Sequence, residues 1–158
     1  MTTLHSQQYD PATIAVQTGL NVDTNHNSVV APIYMATNYR FDEMTQPPQY
    51  DYSRCANPTR DLLANALTEL EGGVGATITS SGMAAVNLVL QLLTPEDTLV
   101  APHDCYGGTH RLFESLAKKG AFKLHWLNFY QEDVEQQLLT IKPSLIWLET
   151  PSNPLVRI

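Results

Sequence analysis

The stretch TLVAPHDCYGGTHRLFESLAKKGAFKLHWLN, residues 98–128, decides the fold class of this chain. It begins with the apolar run TLVAP, continues with the helical pattern GGTHRLFESLAKKG and ends with the apolar run KLHWLN. The alternation extends in both directions: ATITS at residues 76–80 precedes a helical pattern at 82–93, and another at 132–141 precedes SLIWLE at 144–149. Short apolar strands alternating with helices predict an α/β fold, with a mostly parallel sheet and helices on both faces.

The chain before this region has a different character. Residues 1–56 show little regular periodicity and predict an extended arm rather than a compact domain. A helix is predicted to follow directly, because Asn57 suits its N-cap and Pro58 suits its first position. The glycine pair at 72–73 then ends it. We therefore predict two parts, an arm over residues 1–56 and an α/β region over residues 57–158.

The composition excludes several functional classes. The 158 residues carry 9 Lys and Arg against 16 Asp and Glu, a net charge of −7, with no basic run. A nucleic acid or a membrane surface is therefore not the expected partner. Two cysteines are too few for a disulfide framework, no apolar stretch reaches the length of a membrane span, and the first residues do not resemble a secretory signal. We expect a cytoplasmic protein.

In open parallel sheets, ligands collect where the strands end, so the segments after the predicted strands are the candidate sites. The first is SSGM at residues 80–83, where a strand stops and a helix begins. A helix start presents unpaired backbone N–H groups and a positive dipole end, and Gly82 lets a ligand approach the backbone closely. Gly82 and Met83 are therefore candidates to hold a phosphate. An ordinary turn between a strand and a helix is the alternative.

The second segment, residues 102–108, contains His103, Asp104, Cys105 and Tyr106 in front of two glycines. Adjacent residues cannot all point at one ion, and no second ligand pair lies at helical spacing, so no metal site is predicted. Tyr106 is suited to lie over a flat conjugated ligand, since aromatic rings favour offset stacking. Cys105 is interpreted as a buried structural thiol rather than as a nucleophile.

Two further segments carry polar groups where a ligand could bind. Tyr52 and Arg54 lie two apart in an extended stretch, so their side chains leave the backbone on one side and can converge on a phosphate. Glu149 and Asn153 follow the last predicted strand, where polar side chains can face a ligand. A solvated loop and a proline-rich turn are the respective alternatives.

Taken in order, the motifs YSR, NPTR, LEGG, SSGMAA, HDCYGGTHRLF and ETPSNP resemble those of the Cys/Met-metabolism family of pyridoxal-phosphate (PLP) enzymes. The likeness runs from about residue 13 to residue 158. It implies an aspartate-aminotransferase-like fold (PLP fold type I), with an N-terminal arm, a large cofactor domain and a smaller C-terminal domain. It also implies homotetramers built from catalytic dimers. Residues 57–158 would form the first part of the large domain.

The resemblance implies roles for individual residues. The backbone at the positions of Gly82 and Met83 binds the cofactor phosphate in this family. Tyr52 and Arg54 match residues that bind the same phosphate from the neighbouring subunit. Tyr106 matches the tyrosine that is stacked on the pyridine ring.

Three more matches complete the implied site. Asn153 matches an asparagine beside the cofactor, and Glu149 is placed near the substrate. Arg111 matches an arginine implicated in recognising the substrate carboxylate. One departure from the family pattern is Cys55, at a position where related sequences can carry a second arginine after YSR.

The implied activity is γ-replacement, in which an O-acylated homoserine loses its γ-acyl group and cysteine adds to give cystathionine. This reaction belongs to transsulfuration and methionine biosynthesis. PLP would supply the electron sink, with Tyr106 as the candidate catalytic residue for proton transfer. Homoserine-ester sulfhydrylase, cystathionine β-lyase and methionine γ-lyase activities occur on the same scaffold and stay open as alternatives.

The family's Schiff-base lysine and its aspartate partner of the pyridine nitrogen match no residue of this chain. The four lysines present fit no such motif: Lys118, Lys119, Lys123 and Lys142. The chain is therefore expected to be the N-terminal portion of an enzyme and to be inactive by itself. An alternative of another class is a non-catalytic interaction module.

Overall fold

The structure is a computed structural model that describes residues 9–158. These residues form two compact units, a first unit that ends at Ile78 and a second unit that spans Thr79–Ile158. Within residues 9–158, no helix is both long enough and apolar enough to cross a membrane. The first eight residues of the predicted arm lie outside the described residues.

The second unit contains a three-stranded parallel sheet. Its strands are β1 (Thr98–Pro102), β2 (Lys123–Leu127) and β3 (Leu145–Ile146), in the order β2-β1-β3. The central strand β1 is buried at four of its five residues, as expected for a strand covered on both faces. The predicted α/β fold with a parallel sheet is therefore confirmed.

Three helices accompany this sheet, namely α3 (Gly82–Leu90), α4 (Gly107–Lys118) and α5 (Val134–Ile141). Helix α4 connects β1 to β2, and α5 connects β2 to β3 across the central strand. The two connections run in opposite directions along the sheet, and such crossovers are right-handed. This rule puts α4 and α5 on opposite faces.

The core of the second unit lies between the sheet and the helices α3 and α4. Its buried members are Leu90, Leu99, Ala101, Phe113 and Phe122. Two tryptophans pack at its margin, and both contact the fully buried ring of Phe113. The middle of α4 is thereby packed against β2 and the segment after β3.

The first unit contains the helices α1 (Pro11–Gln17) and α2 (Pro58–Leu70), which pack against each other. As predicted, Asn57 caps α2: its Oδ1 accepts hydrogen bonds from the N–H of Thr59 at 2.9 Å and of Arg60 at 3.4 Å. Between the two helices the chain consists of turns and extended segments, and its only β pairing among the described residues is in isolated bridges. The division into an arm over residues 1–56 and an α/β region stays a prediction.

Three details of the predicted secondary structure are wrong. Residues 76–80 form no strand, because no strand among the described residues pairs with them and an extended segment needs a partner for its backbone groups. The strand predicted over residues 144–149 is reduced to the two residues of β3. Helix α1 was not predicted, although Asp10 and Pro11 supply a cap and a first-turn proline for it.

Candidate functional site

Helix α3 begins with two backbone N–H groups that have no partner in the part of the chain that the structure describes. Ser81 caps the helix: its Oγ accepts from the N–H of Ala84 and its carbonyl accepts from the N–H of Ala85, each at 3.1 Å. The amides of Gly82 and Met83 make no hydrogen bond to any residue that the structure describes. A Cβ placed on Gly82 would meet no atom within 4 Å. This helix start therefore has both the donors and the open space that an anion requires.

The ring of Tyr106 lies beside this helix start. A Cβ placed on Gly108 would lie 2.5 Å from Cε1 of Tyr106 and 3.1 Å from Sδ of Met83. Both side chains thus converge on one glycine at the beginning of α4, which packs against α3. The residue Tyr106 keeps 48% of its surface exposed, so its ring has a free surface on which a flat ligand can stack.

Glu149, three residues after the end of β3, is hydrogen-bonded to the start of α4. Its Oε2 accepts a hydrogen bond from the N–H of Tyr106 at 2.7 Å, and its Oε1 accepts one from Nε1 of Trp147 at 3.0 Å. The structure thus brings three of the predicted site residues together, namely Met83, Tyr106 and Glu149.

The segment that precedes Tyr106 is held by separate contacts. Nδ1 of His103 lies 3.3 Å from the carbonyl oxygen of Leu127. Oδ2 of Asp104 is buried without a hydrogen bond and lies 3.6 Å from Nη1 of Arg157, which is an ion-pair distance. Across residues 9–158, no three His, Cys, Asp or Glu side chains are grouped so that they could hold a metal ion.

Cys105 is buried, as the sequence predicted. Its burial, and after that the negative charge of Glu149, raise the pKa of the thiol to about 11. A thiol with such a pKa keeps its proton at neutral pH, and the thiolate is the reactive form. The structure therefore gives no support for Cys105 as a nucleophile.

Two other predicted residues of the second unit, Arg111 and Asn153, are exposed. Nη1 of Arg111 lies 3.4 Å from a Cβ placed on Gly107, and within residues 9–158 its guanidinium has no carboxylate partner. Asn153 lies in a turn that is closed by hydrogen bonds between Ser152 and Arg157. Their roles stay predictions.

Tyr52 and Arg54 belong to the first unit. The guanidinium carbon of Arg54 lies 4.9 Å from the ring centroid of Tyr52, in a cation–π contact. Both residues are exposed, and no carboxylate of the described chain pairs with Arg54. The guanidinium therefore remains available for an anion.

Sequence reasoning missed two residues that shape this site, Gly108 and Trp147. The glycine pair after Tyr106 was visible, but the contacts that require a glycine at position 108 depend on the orientation of the Tyr106 ring and on the approach of Met83 from α3. Trp147 precedes Glu149 by two residues in an extended segment, so both side chains leave on one side. That spacing could have predicted the contact between Trp147 and Glu149.

The fold and the site together define a class of protein. It is a parallel α/β chain in which a helix start with two amides unpaired among the described residues lies next to a half-exposed tyrosine. The chain belongs to the family of Cys/Met metabolism PLP-dependent enzymes, which matches residues 12–158.

Three similar proteins show which members of the family this chain resembles. The chain is 49% identical to cystathionine γ-synthase of Escherichia coli K12, over 93% of this chain and 38% of the relative. It is 38% identical to a cystathionine γ-synthase/O-acetylhomoserine (thiol)-lyase of Bacillus subtilis, over 89% of this chain and 38% of the relative. The crystal structure of cystathionine γ-synthase from Xanthomonas oryzae pv. oryzae in complex with cystathionine superposes with a TM-score of 0.91 and 51% identity, covering 95% of this chain and 39% of that one. The chain thus spans about two fifths of the length of these relatives.

The residues of the second unit fit the cofactor of this family. A phosphate needs several donors in one place, and the free amides of Gly82 and Met83 supply two of them. A pyridine ring needs an aromatic or apolar surface, and the ring of Tyr106 supplies one beside the same helix start. PLP combines these two groups in one small molecule.

Proposed function

We propose that the whole protein is a PLP-dependent transferase that replaces the γ-acyl group of an O-acylated homoserine by cysteine, giving cystathionine. The observation that carries this proposal is the pair of free amides at Gly82 and Met83 next to the ring of Tyr106. Family membership and the higher identity to a cystathionine γ-synthase than to the bifunctional relative support the choice of reaction. The reaction would serve transsulfuration and methionine biosynthesis.

In this proposal the second unit holds the cofactor. The amides of Gly82 and Met83 bind the phosphate, the ring of Tyr106 stacks on the pyridine ring, and Asn153 approaches the cofactor from the turn after β3. PLP, when bound, supplies the electron sink for bond breaking at the substrate. The protein supplies orientation, with Tyr106 as the candidate for proton transfer.

We propose Arg111 as the ligand of the substrate carboxylate. A guanidinium binds a carboxylate through two parallel hydrogen bonds, and no carboxylate of the described residues competes for Arg111. The resemblance adds Glu149 as a residue near the substrate.

The assembly is also a proposal. Tyr52 and Arg54 are proposed to reach the cofactor phosphate of a neighbouring subunit, within a homotetramer built from catalytic dimers. The proposed partners are small amino-acid substrates, with no nucleic acid and no membrane. We propose a cytoplasmic location, which two free cysteines and an acidic composition support.

The experiment compares sulfur nucleophiles in the whole protein. We expect faster turnover of an acylated homoserine with cysteine, followed as cystathionine formation, than with sulfide, followed as homocysteine formation. Faster turnover with sulfide would instead establish a homoserine-ester sulfhydrylase, the activity that the name of the Bacillus relative includes. Faster cleavage of cystathionine than its synthesis would establish a lyase.

A further inference from the structure

The carboxylate of Glu149 has both of its oxygens engaged inside the second unit. Oε2 accepts from the N–H of Tyr106 at 2.7 Å, and Oε1 accepts from Nε1 of Trp147 at 3.0 Å. Each oxygen keeps a second lone pair, but the two bonds fix the orientation of the carboxylate, so a substrate that required another orientation would have to break one of them. Breaking either bond would leave a donor without its charged acceptor, which costs more than an ordinary hydrogen bond.

The bond to Tyr106 completes the start of α4. Tyr106 is the N-cap residue of this helix, and its own side chain makes no capping hydrogen bond. In a capping box, a glutamate at the third helical position accepts from the N–H of the N-cap residue. That position in α4 is Thr109, so Glu149 supplies the missing acceptor from the end of β3. Its negative charge is also favourable at a helix N-terminus.

Trp147 connects this carboxylate to the hydrophobic core. Its ring meets the ring of Phe113 edge to face, with the centroids 5.6 Å apart and the planes at 86°. Phe113 is fully buried, so it can shift only if the core around it shifts. The position of Glu149 is therefore tied to the core of the unit.

Gly108 determines where the ring of Tyr106 lies. A Cβ at position 108 would lie 2.5 Å from Cε1 of the ring, a separation that would force the ring to move. The backbone of Tyr106 is held by Glu149 and its ring lies against Gly108. Together these contacts set both the origin and the direction of the side chain.

We infer that Glu149 is a positioning residue that acts through Tyr106 rather than a ligand of the substrate. Glu149, Trp147 and Gly108 form a tyrosine clamp, which holds the aromatic ring in place for the pyridine ring of PLP. The inference rests on the proposed function, in which Tyr106 stacks on that cofactor.

The test uses two substitutions of Glu149 in the whole protein. In Glu149→Gln the side chain can accept from Tyr106 or from Trp147, but its amide nitrogen cannot accept from the other donor. Glu149→Ala removes both acceptors. Glu114→Gln is a matched control, because Oε1 of Glu114 accepts from Nε1 of Trp126 at 2.8 Å, which is a carboxylate–indole pair elsewhere in the same unit.

We expect the affinity of the apoprotein for PLP, measured by titration, to fall roughly threefold in Glu149→Gln and roughly tenfold in Glu149→Ala. The visible circular dichroism of bound PLP should weaken in the same order, while KM for the acylated homoserine changes less than about twofold. Glu114→Gln should leave all three unchanged. A large rise in KM, with PLP affinity and dichroism unchanged, would make Glu149 a substrate ligand and overturn the inference.

A cofactor-free measurement separates this inference from the proposed function. Amide hydrogen exchange over residues 106–110 should be faster in both Glu149 variants than in Glu114→Gln, since the start of α4 has lost its acceptor. Faster exchange in the Glu149 variants would support the clamp whether or not the wild-type protein binds PLP. A wild-type protein that bound no PLP would refute the proposed function and leave the clamp standing. Equal exchange in all variants would overturn the clamp.

Discussion

Cys105 shows how one residue is controlled by its surroundings. It lies one position before Tyr106 in the loop after β1, yet it is buried while Tyr106 is exposed. Burial disfavours the thiolate, and the charge of Glu149 disfavours it further, so the pKa rises from the ordinary 9.0 to about 11. The thiol is therefore unreactive at neutral pH.

We predict that Cys105 resists alkylation by iodoacetamide near neutral pH in the native whole protein and reacts fully in denaturant. Peptide mapping by mass spectrometry would measure this, with the exposed Cys55 as the internal reference. Alkylation of native Cys105 as fast as in denaturant would contradict the burial.

The same thiol predicts a pH dependence of stability. The unfolded state ionises the thiol near pH 9.0, whereas the folded state keeps the proton up to about pH 11. The stabilisation is thus fully present below pH 9.0 and is lost as the pH rises to about 11. Urea denaturation across this range should show a smaller decline in the free energy of unfolding for Cys105→Ser than for Cys55→Ser.

At the scale of elements, Asn57 joins α2 to the extended chain before it. Its Oδ1 caps the helix, while its Nδ2 donates to the carbonyl oxygen of Tyr34 at 3.1 Å and lies 3.2 Å from both Tyr39 Oη and Ser53 Oγ. The side chain therefore uses both ends of its amide. A segment with little secondary structure of its own is ordered against a helix by this residue.

We predict that Asn57→Ala lowers the free energy of unfolding by about 1–2 kcal/mol, because the cap and the amide contacts are lost together. Asn65→Ala is the matched control: the same substitution at an exposed position of α2, where alanine is the better helix former. Urea denaturation of the whole protein measures both variants. Equal free energies of unfolding of the two variants would show that the cap and the amide contacts of Asn57 contribute nothing to stability.

At the scale of the whole molecule, the predicted site residues are divided between the two units. Tyr52 and Arg54 lie in the first unit, whereas Gly82, Met83 and Tyr106 lie in the second. The proposed assembly gives this division a function, since each active site would take its phosphate ligands from two subunits.

We predict that Arg54→Ala and Tyr106→Ala each reduce PLP retention and turnover in the whole protein. Mixed dimers of the two variants should regain up to half of the wild-type activity, because one of their two sites then contains neither substitution. Arg40→Ala is the control, since within residues 9–158 this exposed arginine pairs only with Asp42, at 2.8 Å. Verified mixed dimers that regain no activity would place Arg54 and Tyr106 in the same subunit's site.

Local signals in the sequence were enough for much of the second unit and for the cap of α2. The strand–helix alternation predicted β1, α4, β2 and α5, because apolar periodicity and capping residues act over a few positions. The prediction of a strand at residues 76–80 was wrong for the opposite reason. An extended segment becomes a strand only through a neighbour, and its own residues do not say whether a neighbour is present.

The sequence by itself determined the class of sheet, the family and the residue types of the candidate site, since these follow from local pattern and from motifs in order. Only the tertiary structure decided that Glu149 bonds to the backbone of Tyr106 and to Trp147, and that position 108 has no room for a side chain. These contacts join residues up to 43 positions apart in the chain. The contact between Glu149 and Tyr106 depends on the pairing of β3 with β1, and the room at position 108 depends on the Tyr106 ring and on the packing of α4 against α3, which no single stretch of sequence contains.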